Sequence, residues 1–136
     1  MHHVTKNVEE TQALAKKWLE KHKDQKIWLL KGDLGAGKTS FVKGVASHFK
    51  KDLKQVKSPT FSLIEDHGTW IHVDLYRLEN SDPTLEEELN EYLKAGYSLF
   101  VEWPERMNLW EKHPHVEVQI THLGGDKRGL KLSLLP

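Results

Sequence analysis

Apolar and polar positions in the first half of the chain follow two different periods. Residues 2–7, "HHVTKN", alternate weakly and predict a short first strand. An apolar stripe at i, i+3, i+4 spacing then predicts an amphipathic helix. The stripe consists of Val8, Thr11, Leu14, Ala15, Trp18 and Leu19. The continuous apolar run "KIWLLKG" at 26–32 is typical of a strand buried on both faces of a parallel sheet, and a second helical pattern begins at Lys38.

The second half of the chain is richer in strand patterns. Residues 58–68 predict a loop running into a strand, and two β runs, "TWIHVDLYRL" at 69–78 and "YSLFVEWP" at 97–104, flank an acidic helix at 81–96. Two terminal strands at 115–123 and 130–136 are separated by the turn-rich "GGDKRG". This order predicts one α/β domain over residues 1–136, with a mostly parallel central sheet, flanking helices and antiparallel edge strands.

A glycine-rich stretch joins the first buried strand to the second helix. Residues 32–39, "GDLGAGKT", fit G-x-x-x-x-G-K-[ST] in full. In that position loop amides and a helix N-terminus point at one anion, so we predict a nucleotide phosphate site in which Lys38 neutralises phosphate and Thr39 ligates Mg²⁺. A simple helix cap would not require lysine followed by threonine. The predicted nucleotide-binding residues are Asp33, Leu34, Gly35, Ala36, Gly37, Lys38, Thr39 and Ser40.

Two acids and one threonine are candidates for the metal side of such a site. Asp74 in "IHVDLY" and Glu102 in "LFVEWP" each follow an apolar strand, and we expect at least one to hold Mg²⁺, directly or through water. Either alone could be an exposed acid at a strand end. Thr60 in "SPTF" lies where switch segments place a hydroxyl toward the γ-phosphate, or it is an ordinary turn residue.

The amino-acid composition indicates the general class of protein but not its ligand. The 136 residues are 38% hydrophobic and 29% charged, with no cysteine. We find neither a long apolar run nor a secretory h-region, so we expect a cytoplasmic protein that does not enter a membrane. Up to Lys57 there are thirteen lysines against six acids, and the remainder is acidic. The basic first half could bind nucleic acid, but lysines on solvent-exposed helix faces are the simpler interpretation.

Several motifs together resemble one family, the bacterial TsaE (YjeE) P-loop ATPases that act in threonylcarbamoyl modification of adenosine 37 in tRNA. The resemblance is carried by "GDLGAGKTSF", "VKSPTFSLIE", "HVDLYRL" and "FVEWPERM", in the family's order, and covers about residues 8 to 106. It implies a minimal P-loop domain with ATP and Mg²⁺ as cofactors. It also implies slow ATP hydrolysis that supports a complex with the TsaD and TsaB proteins. The protein would contact tRNA only indirectly, through that complex.

The resemblance also implies roles for single residues. Lys38 and Thr39 are similar to the family's phosphate lysine and Mg²⁺ threonine, and Thr60 to its switch threonine. Asp74 is similar to the strand aspartate needed for hydrolysis. Glu102 with Trp103 matches the "EW" pair, and we take Glu102 as the closer metal ligand, although the two acids could exchange roles. Lys127, Arg128 and Thr11 are weaker candidates for contacts near the adenine.

Three other functions remain open from the residues alone. A small P-loop kinase would need several arginines over the transferred phosphate, and the chain has only Arg77, Arg106 and Arg128. A GTP-dependent switch usually carries an [NT]-K-x-D loop, which is missing from the sequence. An RNA-binding module would need exposed aromatics, whereas Trp18 and Trp28 occupy predicted core positions. The scarcity of arginine predicts weak intrinsic hydrolysis, because an arginine finger contributes about 10³- to 10⁵-fold.

Overall fold

The computed structural model describes residues 2–33, 36–49, 63–80 and 82–136. These residues form a seven-stranded sheet with α-helices on its two faces. The strands are β1 (His2–Thr5), β2 (Ile27–Lys31), β3 (Ile64–Asp66), β4 (Trp70–Asp74), β5 (Ser98–Glu102), β6 (His115–Gly124) and β7 (Lys127–Leu135). The helices are α1 (Val8–Lys21), α2 (Lys38–His48) and α3 (Pro83–Lys94).

The sheet is parallel in its centre and antiparallel at both edges, in the order β1-β7-β6-β2-β5-β4-β3. Strand β2 pairs in parallel with β5 and β6, and β4 pairs in parallel with β5. The outer pairs β1–β7, β6–β7 and β3–β4 are antiparallel. The predicted fold class is therefore confirmed. The sequence pattern did not reveal that β6, the first strand of the late hairpin, lies in the sheet centre beside β2.

Local signals explain where the helices begin and end. The Asn7 side chain accepts a hydrogen bond from the Glu10 amide at 2.8 Å and caps α1. The Asp82 side chain does the same for α3, accepting from the Leu85 amide at 3.0 Å, with Pro83 as the first helical residue. Gly96, just beyond the end of α3, has a φ of 89°, and a left-handed residue there favours glycine.

One face of the sheet packs against α1 and α2. The stripe predicted for α1 is buried from Thr11 onward, whereas Val8 is 38% exposed. Gly44 of α2 allows the two helices to approach closely, because a Cβ atom there would lie 2.4 Å from the carbonyl oxygen of Gln12. Trp18 and Trp28 lie in this core, as predicted. This packing holds α2 against the sheet.

The opposite face packs against α3 and two short 3-10 turns, Pro104–Arg106 and Leu109–Lys112. Trp110 is buried there, and its indole N–H donates to the carbonyl of Pro104 at 2.9 Å. Trp110 is thus part of the core on this face of the sheet. None of the helices in the described ranges has the length and apolar character that crossing a membrane requires.

Candidate functional site

The carboxyl ends of three parallel strands bring the two predicted acids together. Asp74 and Glu102 are the last residues of β4 and β5 and stand opposite each other in the pairing register. Glu102 also pairs with Leu30 of β2, the strand that leads into the glycine loop. Since parallel strands end at the same edge of a sheet, this edge is where an open α/β fold places ligands. Glu102 lies one strand nearer to the loop than Asp74.

Lys38 is the cation of this edge. It is the first residue of α2 and only 5% exposed, and its Nζ donates to the Gly32 carbonyl at 2.8 Å. The same Nζ lies 4.0 Å from Glu102 Oε1 and 4.1 Å from the centre of the Trp103 ring. Burial lowers the pKa of Lys38, while Glu102 and Asp74 act in the opposite direction. An anion at the loop would therefore stabilise this partly desolvated charge.

Two glycines of the loop, Gly32 and Gly37, stand where a side chain would be strained or crowded. Gly37, the N-cap of α2, has a φ of 111°, a conformation that favours glycine. A Cβ atom on Gly37 would lie 3.0 Å from Nε of Arg128, which reaches over from β7. A Cβ atom on Gly32 would lie 2.6 Å from the carbonyl oxygen of Ile120 in β6. Gly32 and Gly37 thus both lie close to residues of the late hairpin, β6 and β7.

The two carboxylates have different surroundings. Burial raises the pKa of Asp74, the Tyr76 amide opposes this by donating to Asp74 Oδ1 at 3.0 Å, and the nearby Glu102 raises the pKa further. Glu102 is only 4% exposed, and its Oε2 lies 2.5 Å from Nε2 of His72. A cation beside these two acids would relieve both the desolvation and the repulsion between them.

These residues fit a magnesium ion. Mg²⁺ takes hard oxygen ligands and is usually held by one or two carboxylates together with substrate phosphates. Glu102 and Asp74 would supply the carboxylates, and Thr39, in the first turn of α2, would supply a hydroxyl. Among the described residues no cluster of three or more histidine, aspartate or glutamate side chains could hold a metal by itself. A site completed by phosphate oxygens does not need one.

Comparison with known proteins agrees with this geometry. Residues 5–130 match the family described as "Threonylcarbamoyl adenosine biosynthesis protein TsaE". The chain belongs to the TsaE family. A TsaE protein from Rickettsia felis is 36% identical over 92% of this chain and 75% of its own length. Its counterpart from Aquifex aeolicus is 35% identical over 95% of this chain and 92% of its own.

A solved structure supports the same assignment. The crystal structure of Bacillus subtilis YdiB superimposes with a TM-score of 0.73 at 29% sequence identity. The match covers 100% of this chain and 86% of that one. A Bacillus subtilis protein named as a tRNA threonylcarbamoyladenosine biosynthesis protein TsaE is 34% identical over 91% of this chain. The resemblance seen in the sequence is therefore confirmed, and with it a role in threonylcarbamoyladenosine biosynthesis.

The structure brings some of the predicted TsaE site residues together and leaves others outside its description. Lys38, Glu102 and Asp74 converge, and Thr39 and Ser40 lie in the first turn of α2. Asp33 is exposed, and its carbonyl accepts from the amide of the buried Ala36 at 3.0 Å. Leu34, Gly35 and Thr60 lie outside the described residues. The functional roles of all these residues stay predictions.

Two of the weaker predictions have clear positions. Arg128 lies over Gly37, next to the loop, and its Nη1 donates to the carbonyls of Gly125 and Lys127 at 2.8 and 3.0 Å. Thr11 is buried in α1, and its hydroxyl is 2.7 Å from the hydroxyl of Thr5. The Arg128 side chain is the one that approaches the predicted site.

Sequence reasoning missed two contacts of the site. His72 touches Glu102, although it stands thirty residues away in the chain. Trp103 has a positive φ of 58° and packs against the exposed Tyr76, with ring centres 4.9 Å apart. The signal for His72 was its position two residues before Asp74, because alternate residues of a strand share one face. The Trp103 contacts have no comparable sequence signal, since they depend on the turn that follows β5.

Proposed function

We propose that this TsaE-family protein binds ATP with Mg²⁺ and hydrolyses it slowly, in support of the TsaD and TsaB proteins. These two would transfer threonylcarbamoyl to adenosine 37 of tRNA, which this protein would meet only through the complex. The observation that carries the proposal is the convergence of Lys38, Glu102 and Asp74 at the carboxyl edge of the sheet, where α2 begins. A role on tRNA would place the protein in the cytoplasm.

Phosphate binding would use α2 and Lys38 together. Gly37, the N-cap of α2, makes no side-chain cap bond, and the amides at a helix N-terminus are suited to bind phosphate oxygens. Lys38 now donates to the Gly32 carbonyl and would exchange that neutral acceptor for an anionic one. The other predicted nucleotide-binding residues, between Asp33 and Ser40, lie next to Lys38 in the sequence.

The metal side would be formed by Thr39 and Glu102, with Asp74 one strand further away. When bound, Mg²⁺ supplies charge neutralisation for the phosphates. Glu102 faces Lys38 through Oε1 and is the acid nearer to the loop, which supports it as the direct ligand. Asp74, whose pKa is raised by burial, would accept a hydrogen bond from the attacking water and orient it.

The contacts of Arg106 and Arg128 support slow hydrolysis. Arg106 donates to the Leu78 carbonyl at 3.4 Å, and Arg128 is held by two carbonyls of its own turn. Both contacts are with protein carbonyls, whereas an arginine finger contacts the transferred phosphate and contributes about 10³- to 10⁵-fold. We infer that a partner protein completes or stabilises the active arrangement.

Calorimetry on the purified protein tests the binding step. ATP and ADP with Mg²⁺ should bind, GTP should bind at least about tenfold more weakly, and Lys38→Ala should lose about 100-fold in affinity, or about 2.7 kcal/mol. Lys43→Ala is the matched control, because Lys43 lies on the same helix and is not part of the site. Equal affinities for the two variants, or a preference for GTP, would contradict the proposal.

Hydrolysis with and without partners tests the second step. The ATPase rate of the protein alone should be low and should rise when TsaD and TsaB are added. The variant Asp74→Asn should bind ATP but fail to respond to the partners. If the isolated protein already hydrolyses ATP as fast as the complete mixture, the partner-dependent account is wrong.

A further inference from the structure

His72 is a buried polar side chain between the apolar core of the sheet and the two acids at its carboxyl edge. It lies in β4 between Trp70 and Asp74 and is fully buried, at 0% exposure. In the pairing register it stands opposite Phe100 of β5, so Glu102 is its diagonal neighbour on the same face. Burying an imidazole costs free energy unless the ring is hydrogen-bonded. Its hydrogen-bond partner therefore explains how the fold tolerates His72 at this position.

That partner is Glu102. His72 Nε2 lies 2.5 Å from Glu102 Oε2, and an ionised carboxylate can only accept, so Nε2 donates. The other ring nitrogen, Nδ1, is buried and has no hydrogen-bond partner within the described part of the chain. Among the described residues, the His72 ring therefore makes one hydrogen bond, to one carboxylate oxygen of Glu102.

The contact divides the two oxygens of Glu102 between two neighbours. Oε2 bonds to His72, while Oε1 faces Lys38 at 4.0 Å, beyond hydrogen-bond distance. In a buried site a full positive charge at this distance attracts the carboxylate strongly. If the Glu102 carboxylate rotated to form a close ion pair with Lys38, Lys38 would no longer be free to bind phosphate. The carboxylate oxygen would also leave the position from which it could bind the metal. The bond to His72 opposes that rotation.

We propose that His72 is a positioning residue that holds Glu102 Oε2 and so keeps Oε1 directed at the loop, where a metal–nucleotide complex would bind. The inference rests on the function proposed above. His72 itself touches neither metal nor nucleotide. Its effect should therefore appear in metal affinity, in the way that hydrogen-bond partners of metal ligands commonly change it by about 10- to 100-fold.

A matched pair of variants separates the hydrogen bond from packing. His72→Gln keeps an N–H donor at similar reach, whereas His72→Met has similar length and no donor. Binding of Mn²⁺, followed by electron paramagnetic resonance with saturating ADP, should weaken about 10- to 100-fold in His72→Met. The Gln variant should stay within about fivefold of the natural protein, because it restores the donor to Glu102.

The outcomes are distinguishable from a failure of the proposed function. If the natural protein binds neither ADP nor Mn²⁺, the proposed function is wrong and the role of His72 falls with it. If the natural protein binds both, but His72→Met binds Mn²⁺ equally well, His72 does not position the ligand. Equal losses in both variants would make its role one of packing alone.

A measurement on the natural protein covers the case in which His72→Met does not fold. Nitrogen-15 NMR should show a proton on Nε2 of His72, shifted downfield by its bond to a carboxylate. In Glu102→Gln, where the acceptor is neutral, this proton should move upfield. Lack of a proton on Nε2, or no response to Glu102→Gln, would overturn the proposal.

Discussion

Two ends of the same sheet face are buried to nearly the same degree but differ in chemistry. At the amino end of the central strands, Trp28, Trp70 and Phe100 are each 1% exposed and form part of an apolar core with α1 and α2. At the carboxyl end, Glu102 and Lys38 are 4% and 5% exposed. Burial stabilises the first group by about 25 cal/mol per Å², whereas it penalises the charges of the second.

The difference shows where burial costs the fold stability instead of adding to it. In the apolar end each contact supports the next, and the helix pair is fixed by close packing at Gly44. In the polar end Lys38 and Asp74 have pKa values displaced by burial, each in the direction that disfavours its charge. Displaced pKa values of this kind are typical of functional sites. An anion and a cation bound together would compensate both.

The largest effect on stability should come from the apolar end. Gly44→Ala places a Cβ atom 2.4 Å from the Gln12 carbonyl oxygen and 2.7 Å from the Ala15 side chain. We expect it to lower the free energy of unfolding by about 2–3 kcal/mol, measured by urea denaturation. ADP affinity of the folded fraction should stay within about twofold of the natural value. A clear loss of affinity would mean that the two ends are not separable.

Gly32→Ala tests the border between the two ends. Its Cβ atom would lie 2.6 Å from the Ile120 carbonyl oxygen, a backbone atom that cannot easily move. Because the Gly32 carbonyl also holds Lys38, we expect losses in both properties, about 1–2 kcal/mol in stability and about tenfold in ADP affinity. If only stability changes, the carbonyl of Gly32 does not position Lys38.

Arg128→Ala should affect binding and hardly affect stability. The guanidinium lies against Gly37 and is otherwise held by carbonyls of its own turn. We expect ADP affinity to fall about three- to fivefold, or about 0.6–1 kcal/mol, in calorimetry. Lys127→Ala, one residue earlier and exposed, is the control. A larger loss with Lys127→Ala than with Arg128→Ala would reverse the assignment.

The smallest effect should be a gain in stability at the site. Because burial raises the pKa of Asp74, its ionised form costs stability at neutral pH. Asp74→Asn should therefore raise the melting temperature by about 1–3 °C there. The gain should be full above the raised pKa of the folded protein and disappear as the pH falls to the ordinary value of 3.8. A variant less stable than the natural protein at neutral pH would contradict this view of the site.

Much of the fold could be predicted because its elements carry strong local signals. The continuous apolar run of β2 and the i, i+3, i+4 stripe of α1 gave the correct element types, and Pro83 and Gly96 marked the ends of α3. The place of β6 could not be predicted in the same way. Pairing between strands distant in sequence depends on packing across the whole sheet, which periodicity does not encode.

The candidate site also has features that the sequence could predict and features that it could not. Lys38, Asp74 and Glu102 could be predicted because they stand at fixed offsets from recognisable strands and from the glycine motif. The bond between His72 and Glu102 and the approach of Arg128 to Gly37 are contacts between separate elements. They follow from strand order and register, so they became visible only once β4, β5 and β7 were placed.

A crystal structure with Mg²⁺ and a non-hydrolysable ATP analogue tests the central claim most directly. The account predicts phosphates at the N-terminus of α2, with Lys38 Nζ moved from the Gly32 carbonyl to a phosphate oxygen. The metal should lie beside Glu102 and Thr39, with the bond between His72 and Glu102 retained. A nucleotide bound elsewhere, with Lys38 still on Gly32, would contradict the account.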